Sequence, residues 1–140
     1  MMKAMELLNE KNSYLEQFLG LNTEWLKRLN QNDFSNIEKY REDRESILNI
    51  VKHIDERVEE ETVGMVLEDI DEKAKDTINK VLSRKDALVK AILAQDLEIM
   101  EIIEAAKGEI IKELTKVRRN RRTISSYRSY RRKDNLDEEI

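Results

Sequence analysis

The sequence predicts an all-α protein: an elongated, antiparallel, coiled-coil-like bundle of three helices with a long C-terminal helix, or of four if that helix breaks near Ser83. Three observations lead there. Charged residues make up 40% of the 140 residues, proline is absent and glycine occurs three times, which is the bias of long amphipathic helices rather than of strands and turns. Apolar residues recur at intervals of three and four in three successive stretches. The last of these runs on without a stop signal into a basic segment that carries tyrosines.

Helix 1 is expected from Met2 to about Asn30. Leu8, Leu15, Phe18, Trp25 and Leu29 set its stripe, and Leu7, Tyr14, Leu19, Leu21 and Leu26 widen it on both sides. Trp25 on such a face reads as a core anchor. Gly20 costs the helix about 1 kcal/mol relative to alanine. Asn30-Gln31-Asn32-Asp33 is a polar turn, and Ser35-Asn36-Ile37-Glu38 has the S-x-x-E form in which Ser35 and Glu38 cap each other's amides. Helix 2 follows, with Ile37, Tyr40, Arg44, Ile47, Val51, Ile54 and Val58 in a strict seven-residue repeat that should coil against helix 1. Arg44 holds a seam position, where it either lays its methylenes along the core to reach an acid or fixes the register. His53, the one histidine, falls on the side left to solvent and is not a site residue.

Past Val58 the repeat fails, and residues 60–64 read as a turn in which Gly64 supplies backbone freedom. Helix 3 is expected over residues 65–124, about 90 Å at 1.5 Å per residue. Ser83 with Asp86 could cap a new helix and break it. Leu15, Phe18, Trp25, Ile47, Val51, Ile54, Ile70 and Ile78 should be buried together.

On helix 3 two apolar bands lie side by side. Leu88, Ile92, Ile99, Ile102, Ile103, Ala106, Ile110, Leu114 and Val117 fall within about 120° of arc, and Val89, Leu93, Met100 and Ile111 lie beside them. Together they are wider than one neighbouring helix can cover. Helices 1 and 2 should take the band of Leu88, Ile92, Ile99, Ile103 and Ile110. That leaves Val89, Leu93, Met100 and Ile111 for a partner helix, a task that suits the flexible, polarizable chain of Met100.

The net charge of −4 conceals a division. Residues 1–115 carry −9, residues 116–133 carry +9 with no acid, and residues 134–140 carry −4. Such a block reads as an interaction segment. Arg118, Arg119, Arg121, Arg122, Tyr127 and Tyr130 are its candidate partner-binding residues, and the chain divides into a helical bundle over 1–126 and a flexible, basic-then-acidic tail over 127–140. Without cysteine there is no disulfide and no thiolate chemistry. No phosphate loop, nucleophile elbow or metal spacing is present, so the reading is of a non-enzyme with no cofactor and no bound metal. No segment approaches the roughly 18 apolar residues of a membrane span, and a soluble cytoplasmic protein is expected.

As a whole the pattern resembles a flagellar type III export chaperone of the FlgN/FliT kind. The resemblance is carried by Asn32-Asp33-Phe34 through Ile37-Glu38 to Arg44-Glu45 and Ile47-Leu48, and by Gln95-Asp96-Leu97-Glu98, Ile102-Ile103-Glu104, Arg118-Arg119 and Tyr127-Arg128-Ser129. It implies that the C-terminal half binds a helical segment of a flagellar axial subunit, blocks its premature assembly and escorts it to the export apparatus. It also implies that Tyr127 and Tyr130 contact the export gate, with export-ATPase components as further partners. The competing readings are a self-associating coiled-coil adaptor that forms a homodimer through the second band, and a binder of nucleic acid or a membrane surface through the basic segment. The body's charge of −9 weighs against nucleic acid.

Overall fold

Three helices carry the architecture: α1 (Met2–Asn30), α2 (Ile37–Thr62) and α3 (Glu72–Asn135). The computed structural model describes the backbone of residues 2–65 and 70–135 and the side chains of residues 3–65 and 70–125. Among the described residues there is no strand, as the composition requires. The chain divides into two compact units, Met1–Met100 and Glu101–Ile140.

In the first unit the helices run up, down and up. The Tyr40 ring near the start of α2 lies 5.0 Å from that of Trp25 near the end of α1, and Lys11 reaches Asp55 at 2.7 Å, so α1 and α2 are antiparallel. The α3 segment of this unit runs in the same direction as α1. Asn12 donates to the Val81 carbonyl at 3.1 Å, Arg84 pairs with Glu16 at 2.9 Å, and Asn22 donates to Asp96 at 3.0 Å. Leu15, Phe18, Leu88 and Ile92 form the centre of the core, with Leu19, Ile47, Val51 and Val89 half-buried against them. Each such side chain contributes about 1.5–3 kcal/mol when fully withdrawn from water. Of the eight residues expected in one core, Leu15, Phe18, Trp25 and Ile54 are buried, whereas Ile47, Val51, Ile70 and Ile78 are half-buried. Ile70 precedes α3 instead of lying in it, which removes it from the helical stripe.

The α1–α2 connection differs from the expected capping box. Asn32 takes a positive φ of 60°, the amide of Asp33 returns to the Arg28 carbonyl (2.9 Å) and that of Asn32 to the Leu29 carbonyl (3.0 Å), so α1 ends in a left-handed cap with asparagine where glycine is commonest. Asp33 then accepts the amide and hydroxyl protons of Ser35. Those two bonds hold the Asp33 carboxyl below its usual range. With Ser35 held by Asp33, the N-cap of α2 is Asn36, left-handed at φ 61° and without a side-chain cap. At the other end of α2, Gly64 has φ 79°, the freedom expected of it.

The third helix begins at Glu72 and not near residue 65. Asp71 is its cap, accepting the Ala74 amide at 2.7 Å on its carboxylate and the Lys75 amide at 3.0 Å on its carbonyl. No break occurs at Ser83, and the helix continues to Asn135 rather than 124, through most of the basic block. The helix is continuous across 83–86, with the Val81 carbonyl accepting from Asn12 on one side and Leu88 packed in the core cluster on the other.

Candidate partner-binding surface

What α3 shows to solvent in the first unit depends on how it is rotated about its axis, and a polar cluster sets that rotation. Arg44 of α2 donates to both carboxylate oxygens of Asp96 of α3, at 2.8 and 2.9 Å. Asn22 of α1, fully buried, donates its amide to Asp96 and accepts the Tyr40 hydroxyl proton at 2.7 Å. Arg44 donates in turn to the Tyr40 oxygen (3.3 Å), and its guanidinium lies 5.0 Å over the Phe18 ring. Each of the three helices contributes, and each polar group among them has a partner, the condition under which a buried ionic cluster does not destabilise a core. The Asp96 bond pushes the Arg44 pKa up, and burial pushes that of the Tyr40 hydroxyl up. Gln95, next along the helix, donates to Thr23 (2.8 Å) and to the Leu19 carbonyl (3.3 Å), tying the same turn to α1.

With Asp96 turned inward, Leu88, Ile92 and Ile99 are buried and Leu97, about 100° further round, points away. Leu93, Leu97 and Met100 are 61, 59 and 60% exposed. Val89, the first residue of the expected partner band, instead packs half-buried on the core cluster. Leu97 belongs to the exposed set although the two-band reading omits it, because it lies on the outer side of Leu93 and Met100.

In the second unit every residue from 109 to 125 is exposed. Ile111, Leu114, Val117 and Ile124 stand in solvent, as does Ile110, which is 59% exposed. Of the band expected to lie on α1 and α2, Leu88, Ile92 and Ile99 are buried in the first unit, while in the second unit Ile102 and Ile103 are half-buried and Ile110 is exposed. Arg118, Arg119, Arg121 and Arg122 are exposed as well, and Tyr127 and Tyr130 lie outside the residues whose side chains are described. His53 is exposed beside Glu56 at 3.9 Å.

Among the described residues no group of acidic, histidine or cysteine side chains could hold a metal ion, and no helix is long and apolar enough to cross a membrane. The chain matches no protein-family model, no curated protein and no solved structure.

Proposed function

We propose that this protein is a non-enzymatic chaperone that holds a helical segment of a client against α3. More specifically, we propose that it acts in the cytoplasm on a flagellar axial subunit and delivers it to the type III export apparatus. The observation that carries the reading is the exposure of Leu93, Leu97 and Met100, at about three-fifths each, on a helix whose opposite side is locked into a core. Apolar side chains one helical turn apart, held in a fixed orientation, are what an amphipathic helix docks against. Met100 can repack against clients of different shape. In this reading Arg118, Arg119, Arg121 and Arg122, with Tyr127 and Tyr130, make the contacts to client and export gate.

The test is a titration of helical terminal segments of axial subunits, as labelled peptides, against the full chain. Binding at about 10 μM or tighter, lost in the Leu93→Ser/Met100→Ser variant while helicity and melting are kept, is the expected result. If no axial-subunit segment binds, the flagellar assignment fails. A variant that melts lower or dissociates a dimer would make this band a self-interface and remove the client reading.

A further inference from the structure

We infer that residues 103–124 of α3 form one strand of a heterotypic coiled coil whose partner strand carries Glu or Asp opposite Lys107 and Arg121. The inference rests on the partner-helix reading above and specifies the partner's chemistry. Ile103, Lys107, Ile110, Leu114, Val117, Arg121 and Ile124 follow one another at intervals of four and three without interruption, the seven-residue repeat of a left-handed coiled coil. Ile103 is half-buried and the other six are exposed, so the seam is formed and uncovered. Its d positions are all β-branched: Ile103, Ile110, Val117 and Ile124. Its a positions are Lys107, Leu114 and Arg121.

Those two cations select the occupant. In a parallel pair of copies the a positions meet, which sets Lys107 on Lys107 and Arg121 on Arg121. In an antiparallel pair a faces d, and each cation would be desolvated against isoleucine or valine with no counter-charge. Self-pairing is disfavoured in both directions by the polar seam residues that set coiled-coil partner choice. A bilayer asks for a broad apolar face, and here the stripe is narrow and interrupted at every second a position by charge. Nucleic acid would leave Ile110, Leu114, Val117 and Ile124 without a partner. A helix with acids at two seam positions fourteen residues apart satisfies both the apolar and the cationic members.

The first unit contains the same device already completed. Arg44 occupies a seam position of α2 and is met by Asp96 from the facing helix through two bonds of 2.8 and 2.9 Å. Lys107 has at present a weak exposed pairing to Glu104 on its own helix, at 3.6 Å with both side chains about two-thirds exposed. An acid from a partner would replace it in a drier setting, where a charge-assisted bond is stronger.

Two synthetic peptides of about four heptads, with identical apolar seams, test the assignment. One carries Glu and the other Lys at the two positions facing Lys107 and Arg121, and each is titrated against the full chain by fluorescence anisotropy. The expected result is that the Glu peptide binds about tenfold or more tightly than the Lys peptide, and that Lys107→Glu/Arg121→Glu inverts the preference. Both sites are exposed, so circular dichroism should find the variant as helical as the parent. Equal affinities, a preference unmoved by charge reversal, or a chain that sediments as a dimer through this segment would each overturn the inference. If the Glu peptide binds selectively while axial-subunit segments do not, the partner's chemistry stands and the flagellar assignment falls. If axial-subunit segments bind through Leu93 and Met100 while neither peptide binds, the reverse holds.

Discussion

Replacing Asp96 with alanine removes three hydrogen bonds in one step, two from Arg44 and one from Asn22. A bond to a charged group contributes about 1.5–3 kcal/mol, and leaving a buried donor without an acceptor costs about 1–3 kcal/mol. Asn22 is fully buried and would bear that cost in full. Arg44 and Asp96 keep 31 and 23% of their side-chain surface in water, so solvent would recover part of the guanidinium's loss, and the lower end of each range applies. The sum is about 3 kcal/mol. For a unit of this size each kcal/mol moves the melting temperature by roughly 4–8 °C, so the variant should melt roughly 12–24 °C lower. Urea and thermal unfolding followed by far-ultraviolet circular dichroism measure it, with Trp25 fluorescence as a local reporter beside Tyr40. A loss below about 0.5 kcal/mol, the level of an ordinary surface substitution, would refute the claim that this cluster holds the three helices together. Arg44→Met/Asp96→Leu is the companion: with both charges gone no guanidinium is left unpaired, but the Asn22 amide still lacks its acceptor, so only part of the loss, about 1.5 kcal/mol, should be recovered relative to Asp96→Ala.

Tyr40 gives an alkaline prediction. Its pKa is raised by burial, so the folded state holds the phenolic proton more tightly than the unfolded one. The corresponding stability is constant below the ordinary tyrosine value of about 10 and is lost as pH rises through the higher folded value. Melting curves of Tyr40→Phe should therefore fall less steeply over that window, and parallel curves would count against it. Asp71→Ala should cost about 1 kcal/mol as a lost N-cap, whereas Ser35→Ala, outside any capping box, should stay within about 0.5 kcal/mol in the same denaturation assay. Val51→Asp sets a carboxylate against the core cluster and should lower stability by about 3 kcal/mol; a variant that unfolds like the parent would place Val51 outside the α2 seam.

The long elements were legible because their apolar residues keep one period over many turns, and Arg44 was legible as an anomaly on the α2 seam. Its acid was not. Asp96 sits between Ile92 and Ile99 among several acids of α3, and the apolar stripe alone does not say which acid turns inward. Asn22 left a readable trace that apolar counting passes over, since it falls between Phe18 and Trp25 at intervals of four and three and so occupies the seam itself. The start of α3 was misplaced because Ile70 keeps helical spacing with Ala74 and Ile78 although it precedes the helix, while Asp71 carries the capping chemistry. The extent of burial could not be read from the stripe, because its spacing continues unaltered from Leu88, Ile92 and Ile99, which are buried, to Ile110 and Val117, which are exposed.

The spacing of the cluster along the chain bears on how the first unit assembles. Tyr40 and Asn22 are 18 residues apart, across a short connection, so the α1–α2 hairpin closes a small loop. The bonds of α3 to α1 span 68 to 76 residues, and those of Arg44 to Asp96 span 52. Loop closure delays distant contacts relative to near ones. The hairpin is thus expected to form first, with docking of α3 following it. Contacts formed after the rate-limiting step act on escape from the native state rather than on its formation. The Arg44–Asp96 pair should accordingly act as a latch: Asp96→Ala is expected to speed unfolding and to leave the refolding rate nearly unchanged in stopped-flow measurements.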